Sequence, residues 1–148
     1  MTAASNDLRA RFGSLRSEDV VALDHAAQKI GISTLQLMEI AGWQVARCAW
    51  HLLGDRPGTV AVVAGRGNNG GDGLVAARHL ATWGCDVRAW VIAAETELSG
   101  LVASHVETAR RCFTMIAAVA MTRCANDQNS TLSRRQYVSR PDLLLLTH

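Results

Sequence analysis

Apolar residues recur along the chain with two spacings, and each spacing predicts a different kind of element. Val20, Leu23, Ala27 and Ile30 fall every three or four positions, which places one apolar stripe along a helix. Ser17 stands where that helix can be capped, and Gly31 where a left-handed residue can end it. A second helix follows, opened by the Ser33-x-x-Gln36 capping-box spacing, with Leu37, Ala41, Val45, Ala49 and Leu52 as its expected buried stripe. The run Gly54-Asp55-Arg56-Pro57-Gly58 breaks it.

From Thr59 to Ala64 the pattern changes to a short, β-branched run that is apolar on both faces. That is how a central parallel strand reads when helices cover both of its sides. A glycine-rich loop follows, then a helix expected from about Asp72 to Trp83 and ended by Gly84. Asp86 to Ile92 reads as a second strand, and Leu101 to Ala118 as a further helix with Val102, Val106, Ala109, Phe113 and Ile116 on one side. Beyond Ala120 the pattern weakens until Leu143 to Leu146, which reads as a third buried strand. Strands alternating with helices at these lengths predict an α/β fold: a Rossmann-like, three-layer αβα arrangement on a parallel sheet. Residues 1–16 are expected to be a flexible N-terminus and residues 17–148 a single domain, incomplete at its C-terminal side.

Composition narrows the function classes. With 148 residues, 49% hydrophobic and 19% charged, the chain has the make-up of one globular domain. Its net charge of +2 is too small to imply a nucleic-acid or membrane partner, and the whole excess lies after Ala120. No apolar run is long enough for a membrane span, and the first residues lack the apolar core of a secretory signal. Cys48, Cys85, Cys112 and Cys124 form no Cys-x-x-Cys pair, so free thiols in a reducing, cytoplasmic setting are expected rather than a zinc site.

The candidate chemistry lies in Gly65-Arg66-Gly67-Asn68-Asn69-Gly70-Gly71-Asp72-Gly73, between a buried strand and the start of a helix. In open α/β sheets ligands bind in the crevice beyond the carboxyl ends of the strands. Free N–H groups at the helix start can hold an anion such as pyrophosphate, and Asp72 is expected to cap the helix beside it. Gly65, Gly67 and Gly70 satisfy G-x-G-x-x-G, but the dehydrogenase version needs an acid at the end of the second strand. Asp86 starts that strand and Glu95 falls beyond its expected end, which disfavours a standard NAD dehydrogenase.

Read as GRGNNGGDGLVAARHL, the stretch Gly65 to Leu80 resembles the signature of the NAD(P)H-hydrate epimerase family, also called the YjeF N-terminal domain. Ser17 to Gly42 resembles the family's opening, with LMEIAG where the family reads LMENAG. The resemblance implies interconversion of the R and S epimers of hydrated NADH and NADPH, a cofactor repair. It also implies substrate contacts from Asn68, Asn69, Gly70, Gly71 and Asp72 and one potassium ion ligated by Asn69; a homodimer is expected separately, because the strand Leu143 to Leu146 would leave an apolar edge uncovered. Two departures stand out. Ile40 replaces the family's asparagine, and the D-A-[LI]-[FL]-G-x-G segment that leads to the family's acid-base aspartate is not found after Asp142. Epimerisation needs a positioned proton donor and acceptor, and no catalytic residue is assigned. His25, His51, His79 and His105 are read as structural, and Trp43, Trp50 and Trp83 as core or interface. The alternative is a non-catalytic nucleotide-binding or dimerising scaffold module of the same fold, as the resemblance to proteins of messenger-RNA decapping complexes implies.

Overall fold

A computed structural model of the chain describes residues 17–93, 97–98, 100–112, 114–116 and 141–147. The chain groups into two compact units, Met1–Leu37 and Met38–His148. The expected flexible segment, residues 1–16, lies outside the described residues.

In the first unit, helix α1 spans Ser17–Lys29. Gly31 follows with φ +96, the left-handed turn that its position predicts. The apolar stripe of α1 is not buried: Val20, Leu23 and Ile30 are all exposed, Ile30 at 79%. Helix α2 spans Thr34–Leu52 and starts in this unit. Its capping box is reciprocal, for the Ser33 amide donates to Gln36 Oε1 at 2.8 Å and the Gln36 amide donates to Ser33 Oγ at 3.2 Å.

The second unit holds the rest of α2 and a four-stranded sheet. Its elements are β1 (Thr59–Ala64), α3 (Asn68–Thr82), β2 (Asp86–Val91), α4 (Gly100–Cys112), β3 (Thr114–Ile116) and β4 (Leu143–Thr147). The strand order is β3-β2-β1-β4, with every pair parallel. This is the α/β fold with a parallel sheet that the alternation predicts. Val60, Val62 and Ala64 of β1 and Val87, Ala89 and Val91 of β2 are buried, as strands covered by helices must be. Helix α3 packs against β1, β2 and β4, and α4 packs against α3.

Three features differ from the sequence reading. The fourth helix ends at Cys112, and Thr114–Ile116 forms a strand instead of a last helical turn. Pairing beside β2, with Arg88 opposite Thr114, overrides the helical periodicity there. The buried residues of α2 are Met38, Gly42, Ala46 and Ala49, so the stripe lies beside the expected one, and Leu52 is 74% exposed. Gly42 sets that register because its missing side chain lets α2 approach Val75 and the Asp72 carbonyl of α3. The third difference, the start of α3, shapes the site. No helix among the described residues is long and apolar enough to cross a membrane.

Candidate functional site

Sheet order locates the site before any side chain does. The chain steps outward from β1 to β2 to β3, while β4 lies on the other side of β1, so the order reverses between β1 and β4. Ligands of open α/β sheets bind at such a reversal, beyond the carboxyl ends of the strands. A cleft of about 880 Å³ opens there, lined by Val63, Gly65 to Asn69, Ile92, Glu97, Leu146 and Thr147.

The glycine-rich segment is as much helix as loop. Helix α3 starts at Asn68, with Gly67 as its N-cap in an extended conformation and no side-chain cap. Asp72 therefore does not cap it. The first bond of the helix runs from the Gly71 amide to the Gly67 carbonyl at 3.1 Å. The amides of Asn68, Asn69 and Gly70 have no carbonyl one turn earlier to bond, so the dipole and these donors face the cleft end of the helix. An early start without a cap leaves these groups available to an anion.

Each glycine of the segment has its own reason. A Cβ on Gly70 would overlap the Gly65 carbonyl, so loop and helix backbones touch. A Cβ on Gly71 would meet the Met38 sulfur, and one on Gly73 the Thr147 side chain. The loop is thereby pressed against α2 on one side and the end of β4 on the other. The Gly65 amide also donates to the Thr147 carbonyl at 2.7 Å, and Ile92 to the Ala64 carbonyl at 2.8 Å.

Of the residues proposed from sequence, Asn68 and Asn69 line the cleft with exposed side chains. Gly70 and Gly71 are buried behind them, and Asp72 is half-buried and not part of the lining. Ile40 is 60% exposed and does not line the cleft either. Two charged cleft residues have no role in the sequence reading. Arg66 and Glu97 are the charged groups of the lining, and they pair at 3.5 Å. Glu97 follows the second strand at a distance at which an acid is no longer sought, so only the fold reveals it.

The histidines lie elsewhere, and three are less isolated than their sequence neighbours imply. His51 Nδ1 pairs with Asp55 at 2.6 Å, one helical turn on, and His79 Nε2 lies 3.9 Å from Glu39. His105 is 7% exposed, and its Nε2 has no hydrogen-bond partner among the described residues. Burial depresses its pKa, with Glu39 opposing and Arg78 reinforcing. Burial and then Arg78 lower that of His79 likewise, against Glu39. Trp50 and Trp83 pack edge-on at 5.7 Å, and the Arg47 guanidinium lies 4.9 Å over Trp43. Among the described residues no trio of His, Cys, Asp or Glu is placed to hold a metal ion.

A family model described as YjeF-related protein N-terminus matches residues 34–142. The chain is 50% identical over 93 residues to the bifunctional NAD(P)H-hydrate repair enzyme Nnr of Thermofilum pendens, an alignment covering 62% of this chain and 18% of that one. It is 41% identical over 85 residues to the NAD(P)H-hydrate epimerase of Plasmodium vivax, covering 56% and 29%. The crystal structure of yeast ynu0 (YNL200c) superposes with a TM-score of 0.63 at 27% identity, covering 72% of this chain and 47% of the yeast one. The matched part is thus under a third of either enzyme's length.

Proposed function

The chain belongs to the family of YjeF-related protein N-termini, and from that premise we propose that it is the nucleotide-binding part of an NAD(P)H-hydrate epimerase, acting on the R and S epimers of hydrated NADH and NADPH. The observation that carries this reading is the seating of the NNGGD segment. Asn68 and Asn69 begin a helix whose first amides have no helical carbonyl to bond, beside a cleft at the reversal of strand order. A dinucleotide needs an anchor for its pyrophosphate, and these amides supply one without spending a charged side chain. Asn68 and Asn69 offer amide groups to the sugar and ring. Gly70 and Gly71 let the backbone come close, and Asp72, half-buried beside them, completes the segment.

Potassium fits the oxygen donors present. Asn69 brings a neutral amide to the cleft, a hard ligand that suits an alkali cation better than a transition metal. Asn69 would hold the ion, whose charge would offset that of the phosphates. Proton transfer at the ring requires a donor and acceptor, and we assign that role to none of the described residues. A reducing, cytoplasmic setting agrees with the free thiols of Cys48, Cys85 and Cys112. A homodimer agrees with the exposed apolar side chains of Ile40 and Trp43 on α2. Sedimentation or light scattering tests the dimer.

Nuclear magnetic resonance titration with ADP-ribose tests the site itself. The expected result is a set of shifts confined to the amides of Asn68 to Gly73, weakened in Asp72→Ala while the fold is retained. An absence of shifts at millimolar ligand would remove nucleotide binding, and the proposal with it.

A further inference from the structure

We propose that Arg66 and Glu97 form the subsite for the adenosine ribose, in which Arg66 recognises a 2′-phosphate and so decides whether the cleft takes the phosphorylated form of the dinucleotide. This deepens the reading above and rests on it.

Arg66 belongs to the loop that leaves β1, and Glu97 to the segment that follows β2. Both line the cleft, as do Ile92, which follows β2, and Leu146 and Thr147 at the end of β4. Nothing else in the described lining carries charge. In dinucleotide-binding sheets an acid at the end of the second strand accepts hydrogen bonds from the adenosine ribose hydroxyls, and an arginine nearby accommodates a 2′-phosphate; Glu97 comes from further along the chain but reaches the same cleft. Here both groups are present, and they are paired with each other at 3.5 Å.

The pair is weak by construction. Its side chains are 68% and 49% exposed, so solvent screens the attraction and the two can part at little cost. An unphosphorylated ribose leaves the pair intact and can donate its hydroxyls to the Glu97 carboxylate. A phosphate has the opposite demand. It repels the carboxylate and offers the guanidinium a partner of higher charge than a lone carboxylate carries. Arg66 then turns from Glu97 to the phosphate. This assignment also fixes the direction of the ligand: adenosine toward β2, pyrophosphate over the start of α3, and the damaged ring toward Leu146 and Thr147.

Calorimetric titration with ADP-ribose and with its 2′-phosphate separates the possibilities, using the full chain and two variants. Arg66→Met is expected to lose roughly tenfold or more in affinity for the phosphorylated ligand, as loss of one charge-assisted contact implies, and little for the other. Glu97→Gln is expected to shift the preference toward the phosphorylated ligand. Circular dichroism verifies that both variants are folded. Equal losses for both ligands in Arg66→Met would place Arg66 on the pyrophosphate and overturn the subsite, as would no loss for either. If neither ligand binds the unaltered chain, it is the nucleotide reading that fails, a result distinct from the failure of the subsite.

Discussion

Met38 and Gly71 touch so closely that a methyl group on Gly71 would fall 2.5 Å from the Met38 sulfur. This contact joins the two segments that stand out in the sequence, LMEIAG on α2 and GNNGGDG at the start of α3. Met38 is 3% exposed. It acts as the backing of the ligand loop, so the first segment supports the site without lining it. The same logic explains Gly42, where a Cβ would meet Val75 at 2.5 Å and the Asp72 carbonyl at 2.7 Å.

Alanine at these glycines therefore has graded effects. At Gly71 the obstacle is the flexible end of a methionine, which can turn aside, and the expected loss of stability is about 1 kcal/mol. At Gly70 the obstacle is the Gly65 backbone, which cannot turn aside, and the loss is expected to reach about 3 kcal/mol or abolish the fold of the loop. Denaturant unfolding of the two variants gives the comparison. Equal losses would mean that Met38 is held as rigidly as backbone.

A cation at Asn69 makes a separate prediction about binding. ADP-ribose affinity is expected to be higher in potassium chloride than in tetramethylammonium chloride at the same ionic strength. Asn69→Ala is expected to remove the difference between the two salts, together with the affinity that its own contact with the ligand contributes in either of them. A difference that survives in Asn69→Ala would place the cation elsewhere.

Strand β4 distinguishes its two faces. Leu143 and Leu145 are half-buried against the core cluster, while Leu144 is 53% and Leu146 72% exposed. Leu145→Ala is expected to cost about 2 kcal/mol or more, and Leu144→Thr within about 0.5 kcal/mol. An exposed apolar strand face also attracts other chains, so Leu144→Thr is expected to reduce self-association in light scattering. A large stability loss in Leu144→Thr would show that this face is covered.

What could be read in advance follows how local each cause is. Strand β1 was legible because a β-branched run bounded by glycines has few alternatives, and the capping box of α2 because Ser33 and Gln36 satisfy each other within one turn. The register of α2 was not, because it is set by the close approach to Val75 rather than by the helix's own pattern. Strand β3 was hidden for a similar reason: Met115 and Ile116 suit a helix, and only a partner strand, Ala89 and Trp90 of β2, makes them extended. In the site, the glycines and asparagines announced a ligand loop, but the uncapped start at Asn68 displaced Asp72 from the role its residue type suggests. Glu97 could not be found from spacing, since what brings it to Arg66 is the fold between them. The exposed stripe of α1 has no account within its own unit.

Acid sensitivity follows from the buried histidine. His105 sits on α4 with its Nε2 buried and unpartnered among the described residues, and Glu39 and Arg78 as the charged groups acting on it. Burial favours the neutral ring, so the pKa in the folded protein lies below the ordinary value near 6.5. Between the two values the unfolded chain binds more protons than the folded one. Stability therefore rises with pH across that window and is lost as the pH falls from about 6.5 downward. His79, lowered mainly by its own burial, acts in the same direction. Replacing His105 by leucine removes a buried nitrogen that lacks a partner, and it removes the proton uptake as well. The expected outcome is a denaturation midpoint in His105→Leu that falls less than that of the unaltered protein between pH 7 and pH 5, with His79 contributing to the remainder. An unchanged pH profile would mean that His105 takes up its proton as readily in the fold as in the unfolded chain, with Glu39 offsetting the cost of burying the charge.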